Sequence, residues 1–255
     1  MNAPAVALDD PLGALRTADP DRCLQVALAR SGDRAALLAL YLLNVELARI
    51  PGAVNEPMAG LIRLQWWRDA LANTGGERRH PVLSLIAETG LAERLPDGVL
   101  DGLIAARERE LDPTPLLEPA DLEPHARATA GALAVATAHL IGASPVIEKA
   151  RVAGTAYGML GIIRAIPFVA RPTGSAPATL ADQARAVAER TAALLREGHP
   201  FRGRGNAPCL LPALFARQDL RRLRALDYDV FDGRLHQRPP WTALSALAAS
   251  LTGRF

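Results

Sequence analysis

"ALYLLNVELARI", residues 39–50, is an apolar helical segment with an asparagine and a glutamate set into its middle. Leu37, Leu40, Tyr41, Asn44, Leu47 and Ala48 recur at three- and four-residue spacing and share one face. Asn44 therefore points into the core or into a cavity, where an unpaired amide costs about 1–3 kcal/mol. Glu46 falls instead with Leu42, Leu43, Arg49 and Ile50, and Arg49 is one turn away. Both readings stay open for each residue. Asn44 is a hydrogen-bonded core amide or part of a site, and Glu46 is an ion-paired side chain or part of the same site.

The rest of the chain extends this helical pattern. Hydrophobic residues make up 49% of the 255, yet aromatics only 4%, so the apolar weight is Ala and Leu, the residues that lose least on entering a helix. No segment alternates over a strand's length. Helix-start signals recur at Asp19-Pro20, Asp33, Asn55-Glu56-Pro57, Pro81, Pro96, Pro124 and Pro145. Helices are expected to about Arg30, Ile50, Asn73 and Val169, then over Leu180–Glu197, Leu210–Leu226 and Trp241–Leu251. The stripe Ala184, Val187, Ala188, Thr191, Leu194 and Leu195 should face inward, and Leu244, Leu247, Ala248 and Leu251 share one side of the last helix. The expectation is an all-α fold of roughly eight to ten helices in a single domain.

The longest uncharged run, Ala128–Ile147, is long enough to test as a membrane span. Its Ala, Thr and Gly content, His139 and Pro145 make a buried core helix the better reading. A net charge of +2 is too mild to point to nucleic acid. Cys23 and Cys209 form neither a metal-ligand spacing nor a disulfide framework, and no signal peptide is visible, so the cytoplasm is expected.

Two further stretches carry chemistry. In "GLIRLQWWRDAL", residues 60–71, Arg63 stands at cation–π spacing from Trp66 and Trp67. Adjacent tryptophans cannot face the same way, so one fills the core and the other lies at a junction or groove wall. Arg63 and Arg68 become of interest if a cavity is present. In "GTAYGMLGIIRAIPFVARP", residues 154–172, Gly154, Gly158 and Gly161 allow close helix approach and Arg164 is set among apolar residues. A buried arginine needs an anion or several carbonyls, so Arg164 is an anion-pocket candidate or half of a structural ion pair, with Glu46 as one partner to consider. Pro167 kinks or ends the helix just after it. No carboxylate occurs from Lys149 to Ala181, and no Ser/His/Asp arrangement, metal-binding histidine pair or phosphate-cradling glycine loop is present.

Taken in order, "YLLNVELA", "IRLQWWRDAL", "AYGMLGIIRAIP", "LLPALFARQDLRRLRALDYDVFD" and "LTGRF" resemble the squalene/phytoene synthase family over nearly the whole chain. The pairing of "NVELA" with "IRLQWWRDAL" is most similar to the branch of phytoene-synthase-like assembly factors of respiratory complex I. The resemblance implies an isoprenoid-synthase-like helical bundle around a central cavity. The family's enzymes condense two prenyl diphosphates, held through Mg²⁺ by two aspartate-rich motifs. A hard cation and a multiply charged leaving group require carboxylate oxygens there. Laid on this sequence, the first motif falls on Asn44 to Ala48, with Asn44 and Ala48 in place of aspartates and Glu46 at an offset that turns it away. The second falls on Gly161 to Val169, with Gly161, Ala165, Phe168 and Val169 in place of its polar residues and Arg164 alone retained.

The resemblance thus implies a relative without catalytic or metal-binding residues, and with no cofactor. Asn44, Glu46, Arg63, Trp66, Trp67, Arg68 and Arg164 are the candidates for a ligand or anion pocket. Its expected role is in complex I assembly, through complex I subunits or assembly intermediates, or by holding a lipid-like or prenyl ligand. An active Mg²⁺-dependent prenyl transferase is the alternative. A third reading is a peripheral membrane module at the inner face of the membrane, with RNA disfavoured for want of aromatics. It rests on Arg196–Arg238, where nine arginines face five acidic residues.

Overall fold

The computed structural model describes residues 10–73, 80–112, 118–169 and 177–255. These residues form twelve α-helices and no strand, so the fold is all-α as expected. They group into two compact units, one within Met1–Pro113 and His139–Gly142, the other within Thr114–Ala138 and Ala143–Phe255.

The first unit holds α1 (Pro11–Ala18), α2 (Pro20–Ala27), α3 (Ser31–Arg49), α4 (Pro57–Ala72), α5 (Pro81–Glu88) and α6 (Val99–Ala105). Proline at the first helical position starts α1, α2, α4 and α5, where its missing N–H has no intrahelical partner to lose. Asp10 and Asp19 cap α1 and α2 by accepting from the backbone N–H of Gly13 and Arg22. The short α1 lies ahead of the first expected helix. Asp33 does not cap α3, which begins at Ser31. It lies in the first turn and pairs with Arg94 at 2.8 Å. α3 packs against α1, α2 and α5 with Leu37, Leu40, Tyr41, Leu43 and Leu47 buried. Tyr41 satisfies its hydroxyl by donating to Gln25 Oε1 at 2.7 Å.

The second unit is built on α9 (Ile147–Val169), which packs against α7 (Pro119–Ala126), α10 (Pro177–Glu197) and α11 (Ala207–Ala225). Pro124 does not start a helix. It lies inside α7, and the chain continues through a π turn, Arg127–Gly131, into α8 (Ala132–Leu140). Pro167 likewise does not stop α9, which runs two residues beyond it. Arg190 of α10 clamps Glu123 of α7 with two hydrogen bonds of 2.6 and 3.0 Å. The α10 stripe faces inward as its spacing requires, with Ala184, Val187, Ala188, Thr191, Leu194 and Leu195 all buried.

α9 meets the π turn at glycine. A Cβ on Gly154 would stand 2.4 Å from the Ala130 carbonyl oxygen, and one on Gly158 would stand 2.7 Å from the Ala130 Cβ. Gly161 belongs to a different surface, since its nearest neighbour is Arg164 Nη2 at 3.9 Å. The last helix, α12 (Thr242–Thr252), packs on α11 and ends at Gly253 in the left-handed conformation. Its orientation is the reverse of the usual pattern. Leu244, Leu247 and Leu251 are 69, 45 and 67% exposed, while Thr242, Ala246 and Ala249 face inward. Among the described residues no helix is long and apolar enough to cross a membrane.

Candidate functional site

In the first unit, α3 presents Asn44 and Glu46 to different neighbours. Asn44 is buried, and its Oδ1 accepts from Arg107 Nη2 at 2.8 Å. Arg107 in turn donates to Glu110 at 2.6 Å. The buried amide is thus satisfied by a guanidinium 63 residues away, a partner that helical spacing cannot reveal. Glu46 accepts from Arg49 at 3.2 Å, as its one-turn spacing suggests. Its other oxygen lies 3.7 Å from His80 Nε2.

His80 is the pivot of this corner. Its Nδ1 accepts from the Val82 N–H at the start of α5, which leaves Nε2 as the protonated nitrogen facing Glu46. Burial holds its pKa below the ordinary histidine value, and Glu46 opposes that shift without reversing it. The unfolded chain therefore takes up this proton first. The stability that His80 contributes is intact above the ordinary value of about 6.5 and is lost as pH falls below it. Denaturant unfolding between pH 7.5 and 5.5 should show a stability loss on acidification that is smaller in His80→Gln. Equal losses in the two proteins would refute the assignment.

Trp67 is 5% exposed and packs edge-on against His80 at 4.9 Å, whereas Trp66 is 44% exposed and packs on Trp67 at 5.1 Å. One indole fills the core and the other lines the surface, as two adjacent helical positions demand. Arg63 does not form the cation–π contact its spacing suggests. His80 packs against both indoles instead, and Arg63 has no ion pair among the described residues. Arg68 already has its charge matched, by Asp101 and Glu108 at 2.7 Å each.

In the second unit, Arg164 pairs not with Glu46 but with Asp219 of α11. Asp219 is 1% exposed and also accepts from Arg222, at 3.4 Å, and from Arg238. Three guanidiniums thus converge on one buried carboxylate. Arg164 and Arg238 lie over the rings of Tyr157 and Phe215 at 5.5 and 5.4 Å. In the sequence Asp219 is one acidic residue in an arginine-rich stretch, and nothing local marks it. Burial pushes the Cys209 thiol up to about 12 and raises that of Cys23, so neither is poised as a thiolate nucleophile.

The profile of the squalene/phytoene synthase family matches residues 15–173. The chain belongs to that family. Curated relatives include NADH dehydrogenase (ubiquinone) complex I, assembly factor 6, from Bos taurus, 28% identical over 62% of this chain and 48% of its own length. The Rattus norvegicus protein of the same name is 24% identical over 96% of this chain and 82% of its length. The chain thus spans about half the length of the bovine relative and most of the rat one. Among solved structures, a dehydrosqualene synthase in complex with ligand superposes with a TM-score of 0.69 at 14% identity, covering 94% of each chain. A squalene synthase from Alicyclobacillus acidocaldarius gives 0.66 at 15%, covering 89% of this chain and 97% of its own. These likenesses identify the fold as isoprenoid-synthase-like.

The residues on which the resemblance lays the family's two motifs do not fit a magnesium diphosphate centre. Asn44 offers a neutral oxygen that already faces a guanidinium, and Ala48, Gly161 and Ala165 offer no side-chain oxygen. Among the described residues no group of three or more His, Cys, Asp or Glu is placed to hold a metal ion.

Proposed function

We propose that this chain is a non-catalytic member of the squalene/phytoene synthase family that assists assembly of respiratory complex I, with residues 1–255 acting as one domain. The observation that carries the reading is the Arg107 guanidinium 2.8 Å from Asn44 Oδ1, where the resemblance lays the family's first metal-binding motif. A positive group at that distance repels the divalent cation that prenyl diphosphate ionisation needs. Similarity to assembly factor 6 supports the assembly role. On this reading the partners are complex I subunits or assembly intermediates on the cytoplasmic side of the membrane, and no cofactor takes part.

Deleting the gene should lower membrane NADH:quinone reductase activity several-fold while carotenoid and hopanoid levels hold, with recovery on re-expression. The purified chain given farnesyl or geranylgeranyl diphosphate and Mg²⁺ should release no pyrophosphate above a protein-free control. Steady turnover would establish the alternative, a prenyl transferase, and unchanged reductase would refute the assembly role.

A further inference from the structure

α12 has its large apolar side chains on the outside. Trp241, at 60% exposure, continues the row of Leu244, Leu247, Ala248 and Leu251 along about 120° of the helix surface. No charged residue interrupts the chain from Pro239 to Gly253. At the Trp241 end of this row opens a cavity of about 400 Å³ lined by Arg202, Arg217, Arg221, Arg254 and His199, with Trp241 itself in the wall. A second cavity, about 260 Å³, shares Arg217, Arg221 and His199 and adds Arg196 and Arg224. No carboxylate side chain lines either one. Among the described residues, none of these six arginines has an Asp or Glu partner, whereas Arg164, Arg222 and Arg238 converge on Asp219.

We infer that this face docks on an acidic phospholipid surface, with α12 lying in the interface, its leucine row among the acyl chains and lipid phosphates in the arginine-lined cavities. An interfacial helix requires an uncharged apolar stripe beside a cationic region, and both are present within one unit. Trp241 sits where the apolar row meets the arginines, the position at which an indole with one wet edge is favoured. Arg217 already donates to the Phe255 backbone oxygen, and burial and the neighbouring Arg221 hold it below the ordinary arginine value, so an anion beside the pair would favour its charged form. A protein or nucleic acid partner with only anionic groups would answer the arginines and leave the leucines in water. The inference does not depend on the assembly role, since membrane docking and pseudoenzyme status are read by separate assays.

The test is co-sedimentation of the full chain with vesicles of phosphatidylcholine alone or with 30% phosphatidylglycerol, at 50 and 500 mM NaCl. Binding should require the acidic lipid and fall at least tenfold at the higher salt. Leu244→Glu with Leu247→Glu, and separately Arg202→Gln with Arg221→Gln, should each weaken binding at least tenfold while the thermal midpoint stays within 2 °C of wild type. All four side chains are exposed, so the fold does not depend on them. Binding lost to the arginine pair but untouched by the leucine pair would overturn the docking surface in favour of a free-anion site. Displacement by 5 mM inorganic phosphate or equal affinity for a DNA duplex would overturn it too, as would an absence of acidic-lipid dependence.

Discussion

Asp219→Asn lowers the unfolding free energy by about 3–5 kcal/mol, the range for removing one partner from a buried ionic group. For a chain of this size that corresponds to a fall of roughly 10 °C in the thermal midpoint. The cause is specific. Asp219 is 1% exposed, and Arg164, Arg222 and Arg238 all direct guanidiniums at it. The asparagine is nearly isosteric, so packing is unchanged, but three guanidiniums lose the buried carboxylate they share. Asp101→Asn provides the contrast. That carboxylate is 64% exposed beside Arg68, and its loss costs below about 1 kcal/mol. Thermal unfolding by circular dichroism compares the two, and a midpoint for Asp219→Asn within 2 °C of wild type would refute the account.

Gly154→Ala and Gly161→Ala should shift stability in opposite directions although both place a methyl on the same helix. At Gly154 the new carbon would meet the Ala130 carbonyl oxygen at 2.4 Å and the Ala134 Cβ at 2.7 Å, neither of which is the end of a flexible side chain. Overpacking of that kind costs about 1–3 kcal/mol, and Gly154→Val costs more. At Gly161, among the described residues, only Arg164 Nη2 lies near, at 3.9 Å, so alanine gains about 0.5–1 kcal/mol of helix propensity without a clash. Denaturant midpoints measured side by side decide the matter. A destabilised Gly161→Ala, or a neutral Gly154→Ala, would show that the glycine seam has been placed wrongly.

Much of the fold was legible because helical periodicity and prolines at first helical positions are local signals. The α10 stripe from Ala184 to Leu195 is buried as read, and the division of Trp66 and Trp67 between surface and core follows from their adjacency alone. α12 shows the limit of the same method. A row of Leu244, Leu247 and Leu251 has the same spacing whether it faces a core or faces away, and here the alanine row took the inside. Periodicity places residues on a face without saying what the face meets. Site partners were hidden for a different reason. Arg107 lies 63 residues from Asn44 and Asp219 lies 55 from Arg164, separations over which only the packed chain decides what touches. Arg164 could be recognised as needing an anion, but the choice between Glu46 and Asp219 belongs to tertiary structure.

The small inward face of α12 has a consequence for how firmly that helix is held. A large apolar side chain taken out of water contributes about 1.5–3 kcal/mol, and α12 turns Thr242, Ala246 and Ala249 inward rather than its leucines. Its firm anchorage lies beyond both ends: Arg238, just before it, is bonded to the buried Asp219, and the chain is tied again past the C-terminal end. There the Gly203 N–H donates to the Gly253 carbonyl, the Phe255 N–H donates to the Phe201 carbonyl, and the Phe255 ring is buried. The helix is therefore held at its two flanks and lightly seated along its length, so its local opening costs less than unfolding the unit beneath it. Whatever surface grips the outer leucines stabilises the helix itself, and attachment and local ordering become a single event.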